Sequence, residues 1–196
     1  MNNLLSGLVL CGGKSTRMGK DKSLISYFGK PQRDHLFEIL KPFCSEVHLS
    51  VPKGLKATQT VIPDHFDLDS PLNGILSAFH YDPEAAWITV PVDMPNIDAK
   101  AIKYLLDHRN THKAATCFLD SEGKNPEPLF TLWENKARPM LFDYFNSGGV
   151  SPRDFLIDND IELLHAPSSK WLININTEED LRRYLDQSGK NIQGGH

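Results

Sequence analysis

The sequence predicts an α/β fold with a largely parallel β-sheet. Three observations lead to this prediction: short apolar runs recur, most are followed by helical periodicity, and the composition is that of a globular protein, with 40% hydrophobic and 23% charged residues. Strands that alternate with helices pair in parallel, because each helix returns the chain to the same end of the sheet. The length of 196 residues fits one large domain, which we expect to span residues 1–187 and to be followed by a frayed tail at 188–196.

Strands and helices alternate regularly in the first half of the chain. The predicted elements are, in order, strand LLSGLVL (4–10), helix PQRDHLFEILKPF (31–43), strand EVHLSV (46–51), helix PLNGILSAFHY (71–81), strand AWITVPV (86–92) and helix DAKAIKYLLDHR (98–109). Pro71 opens the second of these helices, and Asp98 is the expected N-cap of the third. These segments predict the parallel part of the sheet.

The second half of the chain departs from this alternation. The strands KAATCFL (113–119) and EPLFTLW (127–133) have no helix between them, which predicts a hairpin or an antiparallel strand in a mixed sheet. A helix over 136–145, a break at Gly148-Gly149 and a short helix from Ser151 are expected to follow. The remaining predicted elements are strand IELLHA (161–166), strand WLINI (171–175) and a closing helix over 177–186, with Thr177 as N-cap.

Charge and cysteine content limit the expected partners and compartment. The formal net charge of -4 argues against a general nucleic-acid-binding surface. Three widely spaced cysteines form no metal-binding pattern, and their odd number argues against a disulfide framework, so we expect a cytoplasmic protein. The first residues lack the features of a signal peptide, and no apolar run approaches about 18 residues, so we expect no membrane association.

The stretch LVLCGGKSTRMGKDK (8–22) joins the first predicted strand to two glycines and a basic segment. In open α/β sheets, ligands bind beyond the carboxyl ends of the strands, where this stretch forms a strand-to-helix turn. A Walker A loop needs four residues between its first glycine and Gly-Lys, whereas five separate Gly13 from Gly19. The dinucleotide fingerprint needs Gly-x-Gly, whereas Gly12 and Gly13 are adjacent. The stretch therefore matches neither motif.

The same stretch nevertheless has the chemistry of a phosphate-binding loop. Glycines let the main chain approach a ligand and present N–H donors, while Arg17 and Lys22 can donate charge-assisted hydrogen bonds to phosphate oxygens. The alternative is a basic turn that is simply solvated. We interpret the stretch as a loop that binds the polyphosphate of a nucleotide.

Two further segments carry polar residues where a metal could bind. Asp93 in TVPVDMPNI directly follows an apolar strand, where a carboxylate could hold Mg²⁺ together with phosphate oxygens and water, or could simply cap a turn. Asn174 and Asn176 in WLININTEEDL alternate along a predicted strand and would therefore face the same way. Their amides could orient a metal or a phosphate, or could satisfy buried backbone groups.

Four segments, taken in order, resemble the molybdenum cofactor guanylyltransferases. They are LCGGKSTRMGKDK, PLNGI, PVDMP and NINTEEDL, and they extend over nearly the whole chain. The first is the most specific, and its Asp21-Lys22 pair is more similar to the guanylyl-transferring branch than to the cytidylyl-transferring branch. The resemblance implies a Rossmann-like three-layer nucleotidyltransferase fold with a mostly parallel mixed sheet.

The resemblance also implies roles for individual residues. The implied catalytic residues are Lys22, Arg17 and Asp93. The implied nucleotide-binding residues are Leu10, Cys11, Gly12, Gly13, Lys22, Asp64 and Asp93. The implied Mg²⁺ ligands are Asp93 and Asn176, and supporting residues on the pterin side are Asn174 and Pro128. The sequence departs from the family pattern at two places: Ser70 stands where the family commonly has Gly, and Ser50 or Val51, depending on the alignment, stands where it often has Asn.

The implied reaction combines GTP with molybdopterin, or with molybdenum-molybdopterin, to give the guanine dinucleotide cofactor and pyrophosphate, with Mg²⁺ as cofactor. Transient contacts with cofactor-delivering and acceptor proteins are also implied. The alternatives are cytidylyl transfer to the same pterin, nucleotidyl transfer to a sugar phosphate, and a nucleotide-binding accessory protein without turnover. Lys22 and Asp93 together argue against the accessory protein, because we expect a degenerate site to lose one of them first.

Overall fold

The computed structural model describes residues 4–11, 22–53 and 60–188. Within these ranges, seven strands form one mixed sheet in the order β3-β2-β1-β4-β6-β5-β7. The strands are β1 (Leu5–Leu10), β2 (Glu46–Val51), β3 (Val61–Pro63), β4 (Ala86–Pro91), β5 (Ala115–Leu119), β6 (Pro126–Trp133) and β7 (Glu162–Leu164). The helices are α1 (Gln32–Leu40), α2 (Leu72–Tyr81), α3 (Ala99–Asp107), α4 (Ala137–Asn146), α5 (Pro152–Asp158) and α6 (Glu178–Ser188).

The sheet is mostly parallel, as the sequence predicts. Strand β1 pairs in parallel with β2 and β4, β2 with β3, and β5 with β7. Strand β6 runs antiparallel to both of its neighbours, β4 and β5. The predicted antiparallel strand is therefore confirmed, and it lies inside the sheet rather than at its edge.

Helices cover both faces of the sheet, which gives three layers. On one face, α2, α4 and α5 pack over Leu8, Trp87 and Trp133. On the other face, α1 and α3 pack over Val9 and Ile88. Strands buried on both faces read as continuous apolar runs, and every residue of β4 is buried.

The predicted helix starts at Asp98 and Thr177 are confirmed. Asp98 accepts a hydrogen bond from the backbone N–H of Ala101 at 2.8 Å. Thr177 accepts one from the N–H of Asp180 at 3.1 Å, and Asp180 accepts one in return from the N–H of Thr177 at 2.9 Å. This reciprocal pair is the capping box, with Asp in place of the usual Glu or Gln, and it fixes where α6 begins.

The predicted strand WLINI is wrong. Residues Ser169–Leu172 form a 3-10 turn, and residues 173–176 have no ladder of strand hydrogen bonds. The apolar side chains that suggest a strand pack elsewhere: Leu172 is buried against the α1 and α3 face, where Trp171 is partly buried. Asn174 and Asn176 are both exposed and Ile175 between them is buried, so the predicted alternation is present. It does not arise from a strand of the sheet.

Two short strands also differ from the prediction. Strand β3 was not expected, since three residues are too few to show a period. The predicted strand over 161–166 is reduced to the three residues of β7. Among the described residues, no helix has the length and apolar character needed to cross a membrane.

Candidate active site

The candidate site lies at one edge of the sheet, where several strands end together. Leu10, the last residue of β1, pairs with Ser50 of β2 on one side and with Pro91 of β4 on the other. Parallel strands bring their carboxyl ends to the same edge, so the residues that follow them meet there. Asp64 follows β3 and Asp93 follows β4, which places both carboxylates at this edge.

The main chain after β1 is held by both neighbouring strands. The N–H of Cys11 donates to the carbonyl oxygen of Ser50 at 3.2 Å, and the N–H of Val92 donates to that of Leu10 at 3.4 Å. Leu10 is buried and Cys11 is partly buried. Predicted residues Gly12, Gly13 and Arg17 and the side chain of Lys22 lie outside the described residues, so their roles stay predictions.

Asp64 is half-buried between β2 and α2. Its N–H donates to the carbonyl oxygen of Val51 at 2.8 Å, which continues the pairing of β2 with β3. Burial raises the pKa of the Asp64 carboxyl to about 6, and a hydrogen bond with the Ser50 hydroxyl acts in the opposite direction. The Asp64 pKa therefore lies only about one unit below neutral pH, so a modest fall in pH would protonate the carboxylate.

Helix α2 approaches this edge closely because residue 74 is a glycine. A Cβ atom at Gly74 would lie 2.5 Å from Ser50 Oγ and 3.1 Å from Leu10 Cδ2. Real Cβ atoms essentially never show a contact as short as 2.5 Å, so a larger residue would displace the helix or the strands. The PLNGI segment therefore packs directly against the ends of β1 and β2, and its implied role in shaping the nucleoside site stays a prediction.

Ser70 ties the start of α2 to a distant loop. Its hydroxyl donates to the carbonyl oxygen of Val150 at 2.6 Å and accepts a hydrogen bond from the N–H of Leu72 at 3.2 Å. The serine that departs from the family pattern thus has two partners that glycine would leave unbonded. It connects the α2 side of the site to the loop between α4 and α5.

Asp93 lies at the centre of the edge. Its Oδ1 atom is buried, and its backbone carbonyl accepts a hydrogen bond from the N–H of Ile175 at 2.8 Å. Burial raises the pKa of Tyr27, and the Asp93 carboxylate is one of two neighbours that raise it further. The side chains of Asp93 and Tyr27 are therefore electrostatically coupled.

The asparagine segment lies next to Asp93 because of the Ile175 hydrogen bond. Asn176 directly follows Ile175, and its own N–H donates to Asp180 Oδ2 at 3.1 Å. Asn174 and Asn176 are both exposed. The structure therefore brings the segment that carries Asn176 to the same edge as Asp93, and the role of Asn176 as a metal ligand stays a prediction.

Glu127 is a site residue to which the sequence alone assigns no role. It is 3% exposed, near the start of β6 and next to Pro128, and Glu127 Oε1 accepts a hydrogen bond from the N–H of Leu129 at 3.0 Å. Burial raises the pKa of its carboxyl to about 6, Asp93 and Asp120 also raise it, and Arg153 lowers it. Because β6 is antiparallel, its start lies at the edge where β4 ends. The sequence signal is a carboxylate inside an otherwise apolar strand.

The donor set fits a magnesium ion shared with phosphates better than a metal held by protein alone. No group of three His, Cys, Asp or Glu side chains within the described ranges could hold a metal. Mg²⁺ typically takes one or two protein carboxylates and completes its shell with phosphate oxygens and water. Asp93 can supply one carboxylate, Glu127 lies nearby, and Asn176 can supply an amide oxygen.

Cys44 and Cys117 are unsuited to covalent catalysis. Burial raises the pKa of Cys44 and of Cys117 to about 12, so both remain protonated thiols at neutral pH. The carboxylates of Asp64, Asp93 and Glu127 supply the charge at this edge, which suits the positioning of a metal ion and phosphates.

Comparisons with known proteins agree with this geometry. The family model described as "MobA-like NTP transferase domain" matches residues 7–161. The chain is 26% identical to "Molybdenum cofactor guanylyltransferase" of Serratia proteamaculans, over 96% of this chain and 98% of that protein. It is 27% identical to "Probable molybdenum cofactor guanylyltransferase" of a Nostoc species, over 92% of this chain and 90% of that protein.

A longer relative and a solved structure extend the comparison. The chain is 31% identical to "Molybdenum cofactor biosynthesis bifunctional protein" of a Synechocystis species, over 90% of this chain but only 52% of that protein. The crystal structure of molybdopterin-guanine dinucleotide biosynthesis protein A from Archaeoglobus fulgidus has a TM-score of 0.76 at 19% identity. It covers 94% of this chain and 98% of that one, which shows a shared fold.

Proposed function

Because the chain belongs to the MobA-like NTP transferase domain family, we propose that it transfers the guanylyl group of GTP to molybdopterin or molybdenum-molybdopterin. The observation that carries the proposal is the meeting of Leu10, Asp64 and Asp93 at one sheet edge, in a chain similar over most of its length to molybdenum cofactor guanylyltransferases. The products are the guanine dinucleotide cofactor and pyrophosphate.

The proposed nucleophile is the terminal phosphate of the pterin. A phosphate monoester loses its second proton with a pKa of about 6, so this group is largely dianionic at neutral pH and needs no general base. One of its oxygens forms a bond to the α-phosphorus of GTP, and the bond from that phosphorus to the bridging oxygen of pyrophosphate breaks. The main obstacle is repulsion between two anions, which positioning and charge neutralisation can reduce.

The chain's own residues would divide this work between two sides of the edge. The main chain at Leu10 and Cys11 and the carboxylate of Asp64 would hold the nucleoside. Arg17 and Lys22 would donate to its phosphates. Asp93 and Asn176 would hold Mg²⁺, which would supply positive charge to the reacting phosphates. Asn174 and Pro128 would support the pterin side.

The test is pyrophosphate release from GTP, CTP and UTP with Mg²⁺, with and without molybdopterin. We expect release only with GTP and molybdopterin together, and we expect Asp93→Ala to abolish it while the variant stays folded. Asp107→Ala is the matched control, because Asp107 is an exposed residue of α3 paired with Lys103.

Each other outcome points to a different reading. Release with CTP would indicate cytidylyl transfer, and release with UTP and a sugar phosphate would indicate the sugar nucleotide reaction. Tight GTP binding without release would favour an accessory protein. A near-normal rate for Asp93→Ala would refute the metal role. The cytoplasmic location and the contacts with delivering and acceptor proteins stay predictions.

A further inference from the structure

Ser50 lies where three parts of the candidate site meet. We propose that Ser50 is a positioning residue, whose buried hydroxyl holds the Asp64 carboxylate ready to accept N–H or O–H donors of the guanosine. The inference rests on the proposed function, because it assigns the nucleoside side of that site.

The backbone of Ser50 joins the nucleotide strand to the Asp64 strand. The Ser50 carbonyl oxygen accepts a hydrogen bond from the N–H of Cys11 at 3.2 Å. In the sheet, Ser50 pairs in register with Leu10 of β1 on one side and with Ile62 of β3 on the other. Ser50 is 2% exposed. A shift of this residue would therefore move the end of β1 and the end of β3 together.

The Ser50 side chain packs directly against the backbone of α2. A Cβ at Gly74 would lie 2.5 Å from Ser50 Oγ and 3.3 Å from Ser50 Cβ, so the α2 backbone lies directly against this side chain. The hydroxyl hydrogen-bonds to the Asp64 carboxyl. The hydrogen bond is thus confined between a helix and a strand end and is not a mobile surface contact.

The loop that carries Asp64 is also fixed to α2. Asn73 donates from Nδ2 to the carbonyl oxygens of Phe66 at 2.8 Å and Leu68 at 2.9 Å, and Asn73 Oδ1 accepts the N–H of Phe66 at 3.1 Å. Ser77 accepts the N–H of His65 at 2.9 Å. The backbone of this loop is therefore rigid, and the Ser50 hydroxyl sets the direction of the remaining carboxyl group.

The charge state of Asp64 makes this hydrogen bond consequential. Burial raises the pKa of Asp64 to about 6, and Ser50 opposes that rise. A carboxylate accepts hydrogen bonds from the nucleoside, whereas a protonated carboxyl loses part of that capacity. The titratable neighbours are His65, which stacks on His80 of α2, and the exposed Asp67 and Asp69 of the same loop. Ser50 supplies the stabilising hydrogen bond.

The first test measures Asp64 directly and needs no nucleotide. We would titrate the Asp64 carboxyl by NMR in the wild type, in Ser50→Ala and in Ser6→Ala. Ser6 is the matched control, because it is 3% exposed and lies at the opposite end of β1. We expect Ser50→Ala to raise the Asp64 pKa by about 0.7 pH unit, as the loss of a roughly 1 kcal/mol hydrogen bond implies. An unchanged pKa in Ser50→Ala would overturn the proposal.

The second test asks whether Ser50 acts through Asp64 when GTP binds. We would measure GTP dissociation constants for Ser50→Ala, Asp64→Asn and the double variant between pH 5.5 and pH 8. We expect Ser50→Ala to weaken binding roughly five-fold near the Asp64 pKa, in keeping with one lost hydrogen bond, with a smaller loss at pH 8. In the Asp64→Asn background, Ser50→Ala should cause no further loss.

The outcomes separate this inference from the proposed function. An equal loss from Ser50→Ala in both backgrounds would mean that Ser50 contacts the nucleotide itself, which overturns a positioning role. A wild type that binds no GTP would contradict the proposed function, whereas the NMR titration would still decide whether Ser50 controls Asp64.

Discussion

Ile175 donates its backbone N–H to the backbone carbonyl of Asp93 at 2.8 Å, although α3, β5, β6, α4, α5 and β7 all lie between them in the chain. This one hydrogen bond joins the segment that carries Asn176 to the backbone of Asp93, which follows β4. An interaction of the backbone thus brings together the two segments that carry the proposed metal ligands.

Asn176→Ala should weaken the metal dependence of the reaction. Loss of one oxygen ligand should raise the Mg²⁺ concentration for half-maximal velocity by about ten-fold, while the fold is retained because the Asn176 side chain is exposed. A Mg²⁺ titration of pyrophosphate release measures this. Asn146→Ala, at an exposed position in α4, is the control. An unchanged Mg²⁺ titration in Asn176→Ala would remove this residue from the metal site.

Glu127→Gln should also change the metal dependence, for a reason of charge. The substitution keeps an acceptor for the N–H of Leu129 but removes a negative charge that interacts with Asp93. Because such an interaction contributes on the order of 1 kcal/mol, we expect the half-saturating Mg²⁺ concentration to rise several-fold. Glu122→Gln, in the exposed turn before β6, is the control. Equal Mg²⁺ titrations for both variants would argue against a contribution of Glu127 to the site.

Asp64→Asn should stabilise the protein at neutral pH. The folded-state pKa of Asp64 is about 6 and its ordinary value is 3.8, so between these values the folded state binds more protons and stability falls as pH rises. Removing the ionisable group should therefore raise the free energy of unfolding above pH 6, with the difference vanishing below pH 4. We expect on the order of 1 kcal/mol, because Asp64 is only half-buried. Urea unfolding from pH 4 to pH 8 tests this, with Asp67→Asn as the exposed control.

Glu134→Ala should destabilise the fold without changing the site. Glu134 is 1% exposed and accepts two hydrogen bonds from Arg109, at 2.6 Å from Nε and 2.7 Å from Nη2. Removing one partner of a buried ion pair costs about 3–5 kcal/mol. The exposed pair of Lys103 and Asp107 provides the control, because Asp107→Ala should cost less than about 1 kcal/mol. Chemical denaturation compares the two, and a similar small loss for both would contradict the prediction.

Local sequence patterns predict much of this structure. The starts of α3 and α6 follow from the capping chemistry of Asp98 and Thr177. The placement of Asp93 at the carboxyl edge follows from the apolar run of β4 and the rule that parallel strands end together. Asp64 follows β3, which is too short to recognise, and is predicted only through the family resemblance.

The remaining features depend on contacts that no local pattern contains. Glu127 belongs to the site only because β6 lies antiparallel beside β4, and strand order is set by packing across the whole sheet. The apolar residues Trp171 and Leu172 suggest a strand, but they pack against the α1 and α3 face from a 3-10 turn. In both cases tertiary contacts decide what the sequence leaves open.

The insertion of β6 between β4 and β5 has a consequence for synthesis of the protein on the ribosome. Strand β4 can pair with β1 as soon as it is made, but its other side stays open until residues 126–133 have emerged. At about 5–20 residues per second, this leaves an apolar strand edge uncovered for roughly 2–8 s, long enough for a chaperone to bind it. The hydrogen bond from Ile175 to the Asp93 carbonyl can form only after residue 175 has emerged, so the candidate site of a nascent chain is assembled well after β4 itself has been made.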